Sequence, residues 1–280
     1  MTDVLRDALT GIHVVALTTN IPGPVAAARL RAMGARVTKI EPLHGDPLAI
    51  AAPQWYSEIT SSLQVLQLNF RESGARAALD AHLDGADVLL TAMRARSLER
   101  IGLRWDEVHA RHPRLSMIAL SGEPPPDDDR AGHDLTYQAR AGTIAPPAMP
   151  RALIGDMAAA ERVVAMTLAA LFARTASGEG SLVNVSIVEC ARDFAQPYAH
   201  GMTRPDGSLG GALPAYGLYE ARDGWVAVAA LEPHFLERLM SLLGIEFLTR
   251  EAIAAAIATR RAIEWETLAQ AHDVPIAVVR

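Results

Sequence analysis

The sequence predicts an α/β chain: a doubly wound parallel sheet followed by a smaller α+β domain. Three observations point there. Short strand candidates recur at 13–18, 36–40, 64–68, 88–90 and 116–120, the first of them a continuous apolar run of the kind buried on both faces. Helical spacing fills the intervals between them, the alternation expected of parallel strands with helical crossovers. After a stretch rich in Gly and Pro at 201–213, the pattern changes to a hairpin followed by helices. The first body therefore reads as a Rossmann-like domain over residues 1–200. A linker at 201–214 joins it to a small α+β domain at 215–280.

Each element has its own reason. HVVALT at 13–18 is apolar without alternation, hence a buried strand. Pro22-Gly23-Pro24 breaks it, and residues 25–33 form a helix with Pro24 tolerated in its first turn. Gly34 ends that helix and 36–40 returns to a strand. This β-α-β unit implies parallel pairing with a right-handed crossover. Further helices are expected at 74–83, 97–101 and 105–111. EPPPDDDR at 123–130 is a polar, Pro-rich loop. Helical spacing resumes over 157–176 and stops near Gly178. A strand at 182–188 leads into a helix at 189–198 that halts near Pro197. In the second domain, runs at 215–220 and 225–230 flank Arg222-Asp223-Gly224, a hairpin signal. Helices follow at 233–243, 251–258 and 263–271. There is no internal repeat.

Composition excludes several classes of function. The 280 residues are 50% hydrophobic and 21% charged, ample for a large core. A net charge of −6 argues against a nucleic-acid surface. No apolar run approaches the ~20 residues of a membrane span, and the opening MTDVLRDALTG lacks the apolar core of a signal peptide. Cys190 is the single cysteine, so an intrachain disulfide is excluded and a reducing cytoplasm is the expected compartment. By residue type it reads as a small buried hydrophobe. Nine scattered His and one Cys give no zinc-ligand spacing, and no metal is expected.

The chemistry concentrates in two stretches. Gly132-His133-Asp134-Leu135-Thr136-Tyr137 is followed by Ile154-Gly155-Asp156, directly ahead of a long Ala-rich helical run. A carboxylate there is held ionised by the helix dipole, worth about 0.3–1 kcal/mol. Facing an imidazole, it makes a two-base site or a nucleophile with an acid. The bland alternatives are a turn or cap role for His133 and an N-cap role for Asp156. Glu232 before Pro233 reads as a helix start, and Asp127 to Asp129 as a solvated loop. Arg94, Arg96, Arg100 and Arg104 form either a charged face or a phosphate-binding set of guanidinium forks. Trp55-Tyr56 either flanks an adenine or closes a loop. The first βα turn, 18–24, carries two prolines and one glycine instead of G-x-G-x-x-G, which argues against a nicotinamide cofactor.

Together these stretches resemble the family III CoA-transferases, the superfamily that includes alpha-methylacyl-CoA racemase. The resemblance runs through the Pro-Gly-Pro turn, Met33-Gly34-Ala35-Arg36-Val37, Lys39-Ile40-Glu41-Pro42 and Gly45-Asp46. It continues through Ala86-Asp87-Val88-Leu89-Leu90, Glu99-Arg100-Ile101-Gly102-Leu103, Ser177-Gly178-Glu179-Gly180 and Val183-Asn184-Val185-Ser186. Gly132 to Tyr137, Asp223-Gly224 and Ala230-Leu231-Glu232-Pro233-His234-Phe235 are similar to the racemase branch, whereas Gln138-Ala139 is closer to the transferases. The resemblance implies that Asp156 is the catalytic carboxylate. It implies His133 as a second base with Asp134 beside it, and Glu232 as a supporting acid from the small domain. Arg94, Arg96, Gly132 and Tyr137 would hold coenzyme A, and the amides after Asp156 would face an enolate oxygen. The implied reaction is epimerisation of a 2-methylacyl-CoA thioester. The alternatives are CoA transfer through an aspartyl-CoA thioester and an inactive CoA-binding or partner subunit. No cofactor beyond coenzyme A as part of the substrate, an interlocked homodimer and a C-terminally abbreviated chain complete the expectation. Met157-Ala158-Ala159-Ala160 replaces the small glycines that follow the family's aspartate, and Arg94-Ala95-Arg96 replaces its Arg-Pro-Gly turn.

Overall fold

The structure, a computed structural model, describes residues 3–72 and 74–280 and divides into two compact units, Met1–Ala195 and Gln196–Arg280. The first unit begins with α1 (Asp3–Arg6), β1 (His13–Leu17), α2 (Pro22–Ala32) and β2 (Arg36–Glu41). It continues with α3 (Leu48–Ala51), α4 (Pro53–Thr60), β3 (Gln64–Gln67), α5 (Ala75–Leu83) and β4 (Val88–Thr91). Then come α6 (Ala95–Arg100), α7 (Trp105–Arg111), β5 (Ser116–Ser121), α8 (Asp134–Ala141), α9 (Ile154–Ser177), β6 (Leu182–Ser186) and α10 (Ile187–Phe194). Its strands form a six-stranded parallel sheet in the order β3-β2-β1-β4-β5-β6.

The sheet explains the sequence runs. In β1, Val14 and Ala16 pack on one face among residues of α2 and α9, while Val15 and Leu17 pack on the other among residues of α5, α6 and α7. All five residues of β1 are buried, so alternation is absent. Cys190, on α10, is 3% exposed within the first of these clusters. Arg174 near the end of α9 donates to Asp87 Oδ1 at 2.8 Å, and Asp87 Oδ2 accepts the His13 N–H at 2.8 Å, which pins α9 to the edge of β1.

The second unit holds α11 (Gln196–Ala199), a kinked helical turn at Ser208–Ala212, β7 (Tyr216–Ala221), β8 (Gly224–Ala229), α12 (Pro233–Leu243), α13 (Arg250–Ile257), α14 (Ala262–Ala271) and β9 (Ile276–Val278). Its sheet is antiparallel in the order β7-β8-β9. Asp223 in the hairpin accepts from the Ala262 N–H and from Arg261 Nε, both at 2.8 Å, and so caps α14. Trp265 Nε1 donates to the Ile257 carbonyl at 2.7 Å and closes the core between α13 and α14.

Several elements differ from the sequence reading. The short helices α3, α4 and α8 and the strand β9 were not anticipated. The strand read at 182–188 ends at Ser186, because the Ser186 hydroxyl accepts the Glu189 N–H at 3.4 Å and starts α10. The helix read from 157 begins at Ile154, so Asp156 is its third residue and not its cap. Among the described residues, no helix is long and apolar enough to cross a membrane, and no three His, Cys, Asp or Glu side chains gather in metal-binding geometry.

Candidate functional site

The strand order reverses direction between β1 and β4, and a cavity of about 300 Å³ opens at their carboxyl ends. This is the topological switch point, where open α/β sheets bind ligands. Thr19 and Asn20 line the cavity after β1, Ala92 and Met93 after β4, and Ser121 and Gly122 at the end of β5. The turn after β1 must be narrow. A Cβ on Gly23 would lie 2.4 Å from the Thr18 Cβ, so only glycine lets α2 start there.

Two helices bring the carboxylates to this cavity. His133 is the extended N-cap of α8, where the Thr136 hydroxyl accepts its N–H at 3.1 Å, and Gly142 closes α8 in the left-handed conformation at φ +79°. Asp134, Tyr137 and Gln138 make the buried face of α8. Asp134 Oδ1 accepts the Asp156 N–H at 2.9 Å, and Asp134 Oδ2 accepts from Gln138 Nε2, which also donates to the Ala152 carbonyl at 2.8 Å. Asp134 thereby ties the start of α9 to α8. Gly155 permits the close approach, since a Cβ there would sit 3.0 Å from Asp134 Oδ1 and 3.1 Å from Ile187 Cγ2.

Asp156 is 9% exposed, and its backbone N–H is held by Asp134. The helix start does not hold this carboxyl ionised as the sequence position suggests: burial first, and the Asp134 charge second, push it from 3.8 up to about 7. His133 lines the same cavity and is exposed to solvent. The cavity therefore holds one carboxyl poised near neutrality and one imidazole, the chemistry for moving a proton on and off a bound carbon.

Tyr137 is packed against two missing side chains. A Cβ on Gly122 would lie 2.1 Å from Tyr137 Oη, and one on Gly132 would lie 2.5 Å from Cε1. Gly132 thus makes room for the Tyr137 ring at the cavity wall. Burial, then the Asp156 charge, raise the Tyr137 phenol, with Arg94 opposing. Arg94 is the N-cap of α6 and lines the cavity; Arg96 pairs with Asp129 at 2.7 Å. Arg94, Arg96 and Arg100 also rim an adjoining open depression with Ser97, Glu99 and Asp129. Asp129 is therefore an ion-pair partner, not a freely solvated loop residue. Arg104 turns to Asp106 at 3.3 Å instead. Glu232 belongs to the second unit, at the N-cap of α12.

Two sequence readings are corrected. The Met157 amide donates to the Leu153 carbonyl at 2.9 Å, because the helix has already begun; it cannot face an enolate oxygen. The Tyr56 hydroxyl donates to Glu41 Oε1 at 2.7 Å in a buried ionic cluster, a role that neither sequence reading gave it. Gln138 is a residue whose structural part the motif alone does not reveal. Its spacing of four from Asp134 on one helix face was the available signal.

Residues 9–280 match the family model CoA-transferase family III. A cinnamoyl-CoA:phenyllactate CoA-transferase of Clostridium sporogenes is 26% identical, over 97% of this chain and 78% of its own length. The alpha-methylacyl-CoA racemase of Homo sapiens is 29% identical over 85% of this chain, which spans 65% of the racemase. Among solved structures, a hypothetical protein of Mycobacterium tuberculosis superposes with a TM-score of 0.84 at 22% identity, over 97% of this chain and 85% of that one. A CAIB/BAIF family protein of Brucella suis gives 0.80 at 20% identity, over 97% and 84%. These last two likenesses speak for the fold.

Proposed function

This chain belongs to the CoA-transferase family III, and from that premise we propose that it acts on acyl-CoA thioesters, epimerising the α-carbon of a 2-methylacyl-CoA through an enolate. One observation carries the reading: Asp156, with its carboxyl raised to about 7, shares a cavity with His133. In one direction the Asp156 carboxylate removes the α-proton, and the electron pair moves into the thioester carbonyl to give the enolate. The His133 imidazolium then delivers a proton to the opposite face. The reverse direction exchanges the two roles. Both directions need one proton shared by the pair. The thioester carbonyl takes up the charge, and the Tyr137 hydroxyl at the cavity wall is the donor we assign to it. Arg94, Arg96 and Arg100 suit the phosphates of coenzyme A. No further cofactor is required.

A second reading is favoured by a different observation. Gln138, the transferase-like letter of the motif, is buried and anchors Asp134. In a CoA-transferase, ionised Asp156 would attack the thioester carbonyl, expelling CoA thiolate and forming a mixed anhydride. A homodimer accompanies either reading, and the exposed Leu168 and Phe172 on α9 offer an apolar stripe for a second copy. Incubation with 2-methylacyl-CoAs in D₂O, followed by mass spectrometry, separates the cases. α-Deuteration supports the racemase, exchange of CoA onto labelled free acids supports the transferase, and neither reaction with intact CoA binding supports an inactive subunit.

A further inference from the structure

Beneath the first βα turn lies a buried ionic cluster that the reaction does not use. Lys39 on β2 is fully buried, and so are Glu41 and Asp46 at 3% and 1% exposure. Lys39 Nζ donates to Asp46 Oδ2 at 2.8 Å and also to Glu41 Oε1, which in turn accepts the Tyr56 hydroxyl at 2.7 Å. The remaining Asp46 oxygen, Oδ1, accepts two backbone N–H groups: Leu48 at 2.9 Å and Asn20 at 2.8 Å. Asn20 has φ +67°, a left-handed conformation that Asn tolerates better than other side-chain-bearing residues. Its N–H is thus turned inward to Asp46 while the residue itself lines the cavity that Asp156 and His133 share. The group it can offer a ligand is its carboxamide, one donor pair and one acceptor.

We propose that Asn20 reads the amide-bearing pantetheine arm of a coenzyme A ligand, and that Asp46, locked by Lys39, Glu41 and Tyr56, is the positioning residue that aims it. The inference rests on the reading that this cavity takes coenzyme A. A carboxamide is complementary to a secondary amide in both donor and acceptor, and among the described residues no other side-chain carboxamide lines the cavity. The cluster holds the turn because breaking it would strand buried charges.

Calorimetry with two probes tests the assignment: coenzyme A, and adenosine 3′,5′-bisphosphate, which lacks pantetheine. Asn20→Gly removes the carboxamide and keeps the left-handed backbone without strain. It should weaken coenzyme A about 5- to 20-fold, the scale of one or two hydrogen bonds, and leave the bisphosphate unchanged. Asp46→Asn should weaken coenzyme A alike, and the double variant should be no weaker than Asn20→Gly. Equal loss of both probes, additive effects in the double variant, or unaltered coenzyme A affinity in Asn20→Gly would each overturn the proposal. Failure of the wild-type protein to bind coenzyme A at all would instead remove the reading on which it rests. Asn20 is exposed, so its variants test the idea even where Asp46→Asn folds poorly.

Discussion

The molecule buries two pairs of carboxylates a short distance along the chain from the same cavity, and treats them in opposite ways. Glu41 and Asp46 share a fully buried lysine, and each oxygen that faces the cluster has a donor. Among the described residues no cation pairs with both Asp134 and Asp156; Asp134 takes its hydrogen bonds from an amide and from Gln138. The charge that lysine neutralises in the first pair must be neutralised by a proton in the second. Burial, then the Asp134 charge, with no cation to offset them among the described residues, push the Asp156 carboxyl up to about 7. A cation makes a buried acid structural, whereas its omission makes a buried acid reactive.

The contrast is broken most severely at the reactive member. Asp156→Asn should reduce turnover by about 10²–10⁴-fold on either reaction, because an amide is neither base nor nucleophile. The pH profile sharpens the result. A shared proton gives a bell-shaped kcat/KM for epimerisation, whereas transfer, needing only the ionised carboxylate, should rise through about pH 7 to a plateau. At the structural pair, Lys39→Met should cost about 3–5 kcal/mol in denaturant unfolding, since it strands Glu41 and Asp46 without their cation. If Lys39→Met proves neutral, the two pairs are not opposites.

A smaller effect has the other sign. The Asp156 carboxyl is raised in the folded protein, so folding favours its protonated form. The stability it allows is complete below about pH 4 and declines as pH rises through about 7. Asp156→Asn should therefore match the wild type at pH 4 and exceed it at pH 8 by about 1–3 kcal/mol in thermal or urea unfolding. Equal stability at both pH values would show that Asp156 ionises without cost. Least of all, Arg94→Ala should weaken coenzyme A by about 1–2 kcal/mol in calorimetry, the contribution of an exposed charge-assisted hydrogen bond.

Strands such as β1 and β4 were legible because burial on both faces leaves short apolar runs, and helices such as Trp105–Arg111 and Pro233–Leu243 announce both ends. The hairpin was legible from Asp223-Gly224. Helix α8 was not, because DLTYQARA offers only Asp134, Tyr137 and Gln138 to the interior and has no apolar stripe. The start of α9 was hidden for a related reason: Asp156 looks like a cap, and Gly155 looks like a break, when that glycine exists to let Asp134 approach. His133 and Asp156 were nameable from local motif; the Asp134–Asp156 bond spans 22 residues and belongs to tertiary structure. The lysine cluster was equally out of reach, since Lys39 reads as an ordinary charge in a strand until the turn at Asp46 folds over it.

Cys190 gives the region an internal clock. It is the only thiol in the chain and sits on α10 among the residues of α2 and α9, with burial holding its thiol protonated. A thiol reagent can reach it only when the α9 and α10 packing parts. The rate of labelling in native buffer therefore counts those openings directly, without an introduced probe.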